Sequence, residues 1–286
     1  MSIRIHALTC FTIIAIVLPS VPGVAAQEVD PQATVTPEFV ATPKPKGSPE
    51  KQSTNYVETG GAYLLLTNGF GIWSSGYFRS VISAGNDTLN GEVEGQHEFA
   101  DSGIYFAAGD THNFTPDTYG SVTVASSTGG FFLPLYRGDA FLNHKFLARK
   151  QLITTIGFGY YAAKDPHRDR SLALGATYYF DKPWVLEDGI RFNVSNPGVV
   201  LSPSGFVAIT QGRNKEHYIT ARAGYGEEGY QLIGPTNSLS SFRSQTITVT
   251  WRQWVGRNWG ADTVADYYGN PYYSRAGASI GFFREF

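Results

Sequence analysis

Charged residues are sparse in this 286-residue chain, only 16% Asp, Glu, Lys and Arg, so the places where they gather on one face carry information. The stretch LNGEVEGQHEF puts Asn90, Glu92, Glu94, Gln96 and Glu98 on one side of an extended chain, with Leu89, Gly91, Val93, Gly95, His97 and Phe99 on the other. In HYITARAGYG, Arg222 shares a face with Thr220, Gly224 and Gly226, opposite Ile219, Ala221, Ala223 and Tyr225. TITVTWRQW sets Thr246, Thr248, Thr250 and Arg252 against Ile247, Val249 and Trp251, and ADTVAD places Asp262 and Asp266 together. Acids, bases and hydroxyls arrayed this way can line a wet channel, hold a polar solute, or neutralise one another.

They do not assemble into a recognisable reaction centre. Asp262 and Asp266 lie about 13 Å apart in an extended strand, too far for a glycosidase pair. Downstream of residue 26 the histidines are His97, His112, His144, His167 and His217; none belongs to a nucleophile motif. The fragment DPHRD at 165–169 reads as a solvated loop, because no further ligands stand at metal-site spacing. Cys10 is the sole cysteine and precedes an apolar run, so the exported chain has no thiol for a disulfide, zinc site or nucleophile. The expectation is no catalytic residue, no cofactor, no metal site and no enzyme activity.

The elements that must position these faces are strands. Alternating segments bounded by Gly, Asn, Asp or Pro predict strands near 56–67, 70–84, 87–101, 102–115, 117–132, 134–148, 150–163, 169–181, 184–195, 203–213, 215–230, 241–254, 257–268 and 271–286. That makes about fourteen, with twelve as the alternative where the first hairpins are ambiguous. Upstream, Arg4 and the run FTIIAIVLP lead to Val24-Ala25-Ala26, which predicts a signal peptide over 1–26. Residues 27–54, rich in Pro, Thr, Lys and Glu, read as a disordered tether, leaving 55–286 for the strands. Removing Arg4 leaves 22 − 1 = 21 basic against 24 acidic residues, a balance that offers nothing to nucleic acid.

A secreted β-sandwich and a transmembrane antiparallel up-and-down barrel both explain the alternation. The acidic and amide face of 89–99 favours the barrel, since its other face lacks the bulky set that a second sheet would need. Connections also alternate, with tight ones at 84–87, 149–151, 181–183 and 255–258 and longer ones at 164–170, 195–203 and 230–242. Short periplasmic turns and long outward loops predict an outer-membrane protein of a Gram-negative bacterium, with both termini periplasmic. Lys182 and Arg257 then fall in periplasmic turns. Trp184, Trp254 and Trp259 beside short turns, and Tyr160, Tyr161, Tyr267, Tyr268, Tyr272 and Tyr273 at the opposite strand ends, read as two interfacial girdles.

The succession LITTIGFGYY, LGATYYF, GIRFNVSNPG, SGFVAITQGRNKEHYITARAGYGEEGY and SQTITVTWRQWVGRNWG, closed by an aromatic strand, is similar to the YaiO family of outer-membrane β-barrels. The last strand, YSRAGASIGFFREF, resembles the segments that outer-membrane assembly machinery recognises, with Ile280, Phe282 and the terminal Phe286 as the signal and Arg284 as a departure on the same face. The family resemblance implies location and fold more firmly than activity. Because relatives keep company with glycosyltransferases, it also points to exported polysaccharide. Three functions follow in order: a porin-like polar conduit or binding site for exported polysaccharide or small solutes; a closed structural or surface-interaction barrel; and an outer-membrane enzyme. Expected partners are membrane lipid, the assembly machinery and polysaccharide. The expected lumen lining is Glu92, Glu94, Glu98, Arg222, Thr248, Thr250, Arg252, Asp262 and Asp266, with Ile247, Val249 and Trp251 facing lipid.

Overall fold

The computed structural model describes residues 55–286; the expected signal peptide and tether lie outside the described residues. Within them the chain forms β1 (Tyr56–Leu66), β2 (Ile72–Ala84), β3 (Asp87–Glu98), β4 (Asp101–Asn113), β5 (Thr118–Gly129), β6 (Tyr136–Phe146) and β7 (Leu152–Ala162). It continues with β8 (Arg168–Tyr179), β9 (Trp184–Asn196), β10 (Val200–Arg213), β11 (His217–Leu232), β12 (Ser238–Gly256), β13 (Trp259–Gly269) and β14 (Ser274–Glu285). Every strand pairs antiparallel with its sequence neighbours and β1 pairs with β14, so the sheet closes into a fourteen-stranded barrel. No helix among the described residues is long and apolar enough to cross a membrane; the strands do the crossing.

Alternation carries through the wall. On β12, Ile247, Val249 and Trp251 project outward and are exposed, while Thr248, Thr250 and Arg252 turn inward. Leu65, Phe78, Val93, Phe106, Val124, Phe158, Ile190 and Val207 extend the outward apolar band around the barrel.

The closing seam depends on two glycines. The Tyr77 side chain reaches inward from β2 and lies across Gly60 of β1 and Gly281 of β14; a β-carbon at these glycines would stand 2.6 and 2.3 Å from its hydroxyl. At Gly60 the added atom would also meet the Ile280 carbonyl at 2.5 Å, so a side chain there would push the two seam strands apart.

Two expectations are corrected. The connections expected to be long, 164–170, 195–203 and 230–242, shrink to 163–167, 197–199 and 233–237, the last two because β9 to β12 run further than the Pro- and Gly-containing sequence suggests. Around Pro203, Leu201 remains outward and Ser202 inward, and Pro203 stands opposite Phe192 in the ladder. Connections are short at both rims. The six at 85–86, 114–117, 147–151, 180–183, 214–216 and 257–258 share the rim with the chain ends, here the terminal rim; the other seven form the distal rim.

The girdles are also thinner than expected. Trp184, Trp259, Tyr267 and Tyr272 are exposed on the outside, but Trp254, Tyr268 and Tyr273 are buried inside. Adjacent strand residues must point to opposite faces, so the doublets Tyr160-Tyr161 and Tyr267-Tyr268 each send one ring into the lumen.

An arginine on the outward apolar band faces hydrocarbon, whereas one on the inner face meets water and Asp266. Val249→Arg is therefore expected to cost about 2–4 kcal/mol and Thr248→Arg far less. Heat-modified gel mobility after folding into detergent or vesicles checks both, with a low folded fraction for the first and a near-wild-type fraction for the second.

Candidate functional site

Among the described residues, the lumen holds two networks of paired charge. Near the terminal rim, Arg252 of β12 donates to Asp262 of β13 at 2.7 Å and to Glu58 of β1 at 3.4 Å. Glu58 also accepts from the Tyr77 hydroxyl at 3.0 Å and lies 3.9 Å from Arg79 of β2, which donates to Glu92 of β3 at 2.7 Å. The network thus runs from β12 across the β14–β1 seam to β3. The guanidinium of Arg252 also packs 3.6 Å from the Phe283 ring centre, which supports it on an apolar face. Nearer the distal rim Asp266 accepts from Arg275 at 3.0 Å and from Thr248 at 3.2 Å, with Arg275 over the Trp73 ring.

The facing wall is less charged and smaller. Arg137 and Asp139 pair at 2.6 Å on β6, and Arg222 of β11 lies 3.4 Å over the Phe206 ring of β10. Gly157, Gly159, Ala173, Gly175, Gly189 and Gly224 fill intervening inward positions. Accessibility varies along this interior: Glu92 and Asp266 keep 20% and 22% of their side-chain surface, whereas Glu58, Arg252, Asp262 and Arg275 are buried.

Each residue expected in the lining can now be placed. Glu92, Arg252, Asp262, Asp266 and Thr248 belong to the two networks above. Glu94 accepts from the Gln96 amide at 2.9 Å, Glu98 is buried at the distal end of β3, Thr250 is half-buried on the inner face of β12, and Arg222 sits on the other wall. Ile280, Phe282 and Phe286 are all exposed at the barrel's outer surface.

The β11–β12 hairpin reaches across the distal mouth. The β11–β12 ladder skips Gly229 and Ser241, and Ser241 takes a φ of 52°, so the hairpin bends away from the wall at that level. Beyond the bend Tyr230, Gln231 and Leu232 are all buried; alternation has ended because both faces now meet protein. The Tyr230 hydroxyl donates to Asp165 at 2.7 Å and its ring packs on His167, both in the connection between β7 and β8. Tyr230 and Leu232 pack against Phe131 between β5 and β6, and Gln231 donates to the Tyr273 hydroxyl at 2.6 Å. The tip therefore reaches across the mouth to strands nearly opposite its own.

An aromatic layer lies with it. Phe99 has its ring centre 4.9 Å from Trp73, 6.0 Å from Phe70, 6.3 Å from Phe131 and 6.4 Å from Tyr273. Phe99 and Ala100 form a two-residue turn at φ 48° and 62°, a conformation that favours Asn and Gly; a phenylalanine there is held by its ring contacts.

A family model described as the YaiO membrane beta barrel domain matches residues 54–231. The chain belongs to the YaiO membrane β-barrel family. No curated protein matches it in sequence. In structure this YaiO barrel is similar to the CymD monoaromatic hydrocarbon channel, with a TM-score of 0.58 at 8% identity over 82% of this chain and 89% of that one. It is similar also to the Pseudomonas putida toluene transporter TodX, with 0.53 at 11% identity over 86% and 93%. A bacterial polysaccharide outer membrane secretin aligns at 0.49 and 7% identity over 81% and 98%. At such identities the likeness is one of fold, a bacterial outer-membrane β-barrel.

Sequence reasoning missed Glu58, Arg79 and Arg275 in this YaiO barrel, and treated Asp165 and His167 as solvated. The first three had a usable signal, since a charge in an outer-membrane strand is favoured on the wet side, although Asp188 stands on the outer face beside Val207. Asp165 had none: its partner Tyr230 is 65 residues away.

Burial would raise the Asp165 carboxyl, but hydrogen bonds from Tyr230 and from the backbone and ring of His167 outweigh it and hold the group below its ordinary value. A depressed carboxylate stabilises closure above its unfolded value, and the benefit is lost as pH falls through the lower folded value. The hydrogen-exchange protection factors of 229–241, relative to the intrinsic rate at each pH, are thus expected to be high at pH 7 and to fall below about pH 4. In Asp165→Asn that acid step disappears.

Proposed function

We propose that this outer-membrane barrel is a gated passage for polar solutes, with carbohydrate, including exported polysaccharide, as the favoured cargo class. One observation carries the reading: a partly accessible, charge-lined lumen is spanned at its distal mouth by a hairpin that holds on through side chains alone. Arginine, carboxylate and threonine groups suit hydroxyl-rich solutes, and inward rings such as Tyr105 and Tyr161 offer flat faces for sugars. CymD and TodX, described as a hydrocarbon channel and a toluene transporter, share the fold with a different cargo; the polar lining here argues against hydrocarbon. The reading involves no catalytic step and no cofactor. Both termini are taken as periplasmic and the distal rim as outward, following the even strand count, and Ile280, Phe282 and Phe286 as the signal to the assembly machinery.

The hairpin across the mouth itself favours a second reading, a permanently shut structural or surface-interaction barrel. Planar-bilayer recording separates the two. Wild type is expected to be mostly closed, and a variant with Tyr230→Ala and 233–237 replaced by two glycines to conduct steadily, with an ion selectivity that shifts when Thr250→Asp is added. A folded latch-less variant that stays silent removes the passage reading in favour of the second. For topology, cysteine at Ser238 is expected to react with an impermeant reagent on whole cells and cysteine at Arg257 only after lysis; the reverse pattern inverts the assignment.

A further inference from the structure

A groove opens on the outer wall at the distal rim over β11 to β14, with the inward Ser244 and Tyr273 behind it. Tyr225, Gln245, Gly269 and Ser274 stand side by side in register across these four strands. Gly269 leaves the space. A β-carbon there would sit 3.0 Å from the Tyr267 hydroxyl and 3.5 Å from the Gln245 amide nitrogen, so both groups converge on the gap. The groove encloses about 390 Å³, within the ~300–1,000 Å³ of small-molecule sites.

Its chemistry is mixed in an ordered way. The Tyr225 ring is 60% exposed and Tyr267 contributes a second ring. Arg243 stands on the distal side, loosely paired with Glu227 at 3.5 Å. Within the described residues no protein partner is found for the Gln245 amide or for the Tyr225 and Tyr267 hydroxyls. Towards the membrane the same faces continue as Ile247 and Leu65, both exposed and apolar. Ring faces that stack on a pyranose, an amide that both donates and accepts, and a cation suit an acidic or phosphorylated sugar. The apolar stripe below suits acyl chains, and aromatic and cationic groups at strand ends mark the headgroup level.

We propose that this groove binds the saccharide headgroup of a membrane glycolipid, with the sugar over Gly269 against Gln245 and the Tyr225 ring, its anionic group at Arg243, and its acyl chains along Ile247 and Leu65. The site is independent of whether the lumen conducts. A glycolipid here would brace the strands from which the mouth hairpin springs, since Tyr225 and Gln245 lie four residues from Gly229 and Ser241.

The test is native mass spectrometry of the full barrel, purified in the sugar-free detergent lauryldimethylamine oxide and titrated with lipid A or with phosphatidylglycerol. Lipid A is expected to give one retained adduct. Gln245→Leu and Tyr225→Leu, both at exposed outer positions, are expected to weaken it at least tenfold while keeping heat-modified mobility and the weaker phosphatidylglycerol adducts. Equal lipid A retention in wild type and both variants overturns the proposal, as does an equal loss of phosphatidylglycerol, which would mark a general anionic-lipid surface. Deacylated lipid A headgroup is expected to bind at least tenfold more weakly than the intact lipid; equal binding overturns the membrane source.

Discussion

Hydrocarbon offers no partner to a backbone N–H or C=O, so a sheet that crosses it must have no edge. The pairing of β1 with β14, Tyr56 opposite Glu285 through to Leu66 opposite Arg275, is the contact on which the rest of this protein depends. Once that ladder closes, every strand position has one of two solvents, and a side chain's neighbours follow from its parity. The glycines beneath Tyr77 belong to the same requirement, since they let a large inward ring lie on the seam without prying it open.

Closure also gives the charges their place. A carboxylate or guanidinium is expensive against lipid and costly when buried alone, but tolerable in a wet lumen with a partner. Glu58, Arg79, Glu92, Arg252 and Asp262 meet those conditions together, and their network spans the seam itself. Electrostatics and backbone pairing therefore reinforce each other on the same side of the barrel, while on the wall opposite the inward glycines make room for the Phe141 and Phe206 rings.

Wall and mouth differ in kind. The wall is a continuous backbone ladder, whereas the distal hairpin is held to the other loops by Tyr230 to Asp165, Gln231 to Tyr273 and a small apolar contact with Phe131. Side-chain hydrogen bonds of this sort contribute roughly 0.5–1.5 kcal/mol each. These contacts are far weaker together than the continuous ladder of the wall, and the register break at Gly229 and Ser241 separates the two.

Local sequence was sufficient for the strand type, their approximate number and the face each residue shares, because a period of two is written into every segment from β1 to β14. The same rule, applied to the Tyr doublets and to Glu58 and Arg79, would have put one ring of each doublet and both charges on the inner face; this was legible and passed over in favour of composition near the strand ends. Which partner each charge takes was not legible. Arg252 reaches Glu58 from 194 residues away, and Tyr230 finds Asp165 only because closing the barrel brings the tops of β7 and β11 around one mouth. Periodicity is a property of neighbouring residues, so the sequence alone determined which residues share a face; adjacency across a lumen is a property of the closed ring, so the tertiary structure alone decided that the face rich in charge has an aromatic hairpin folded across the mouth above it.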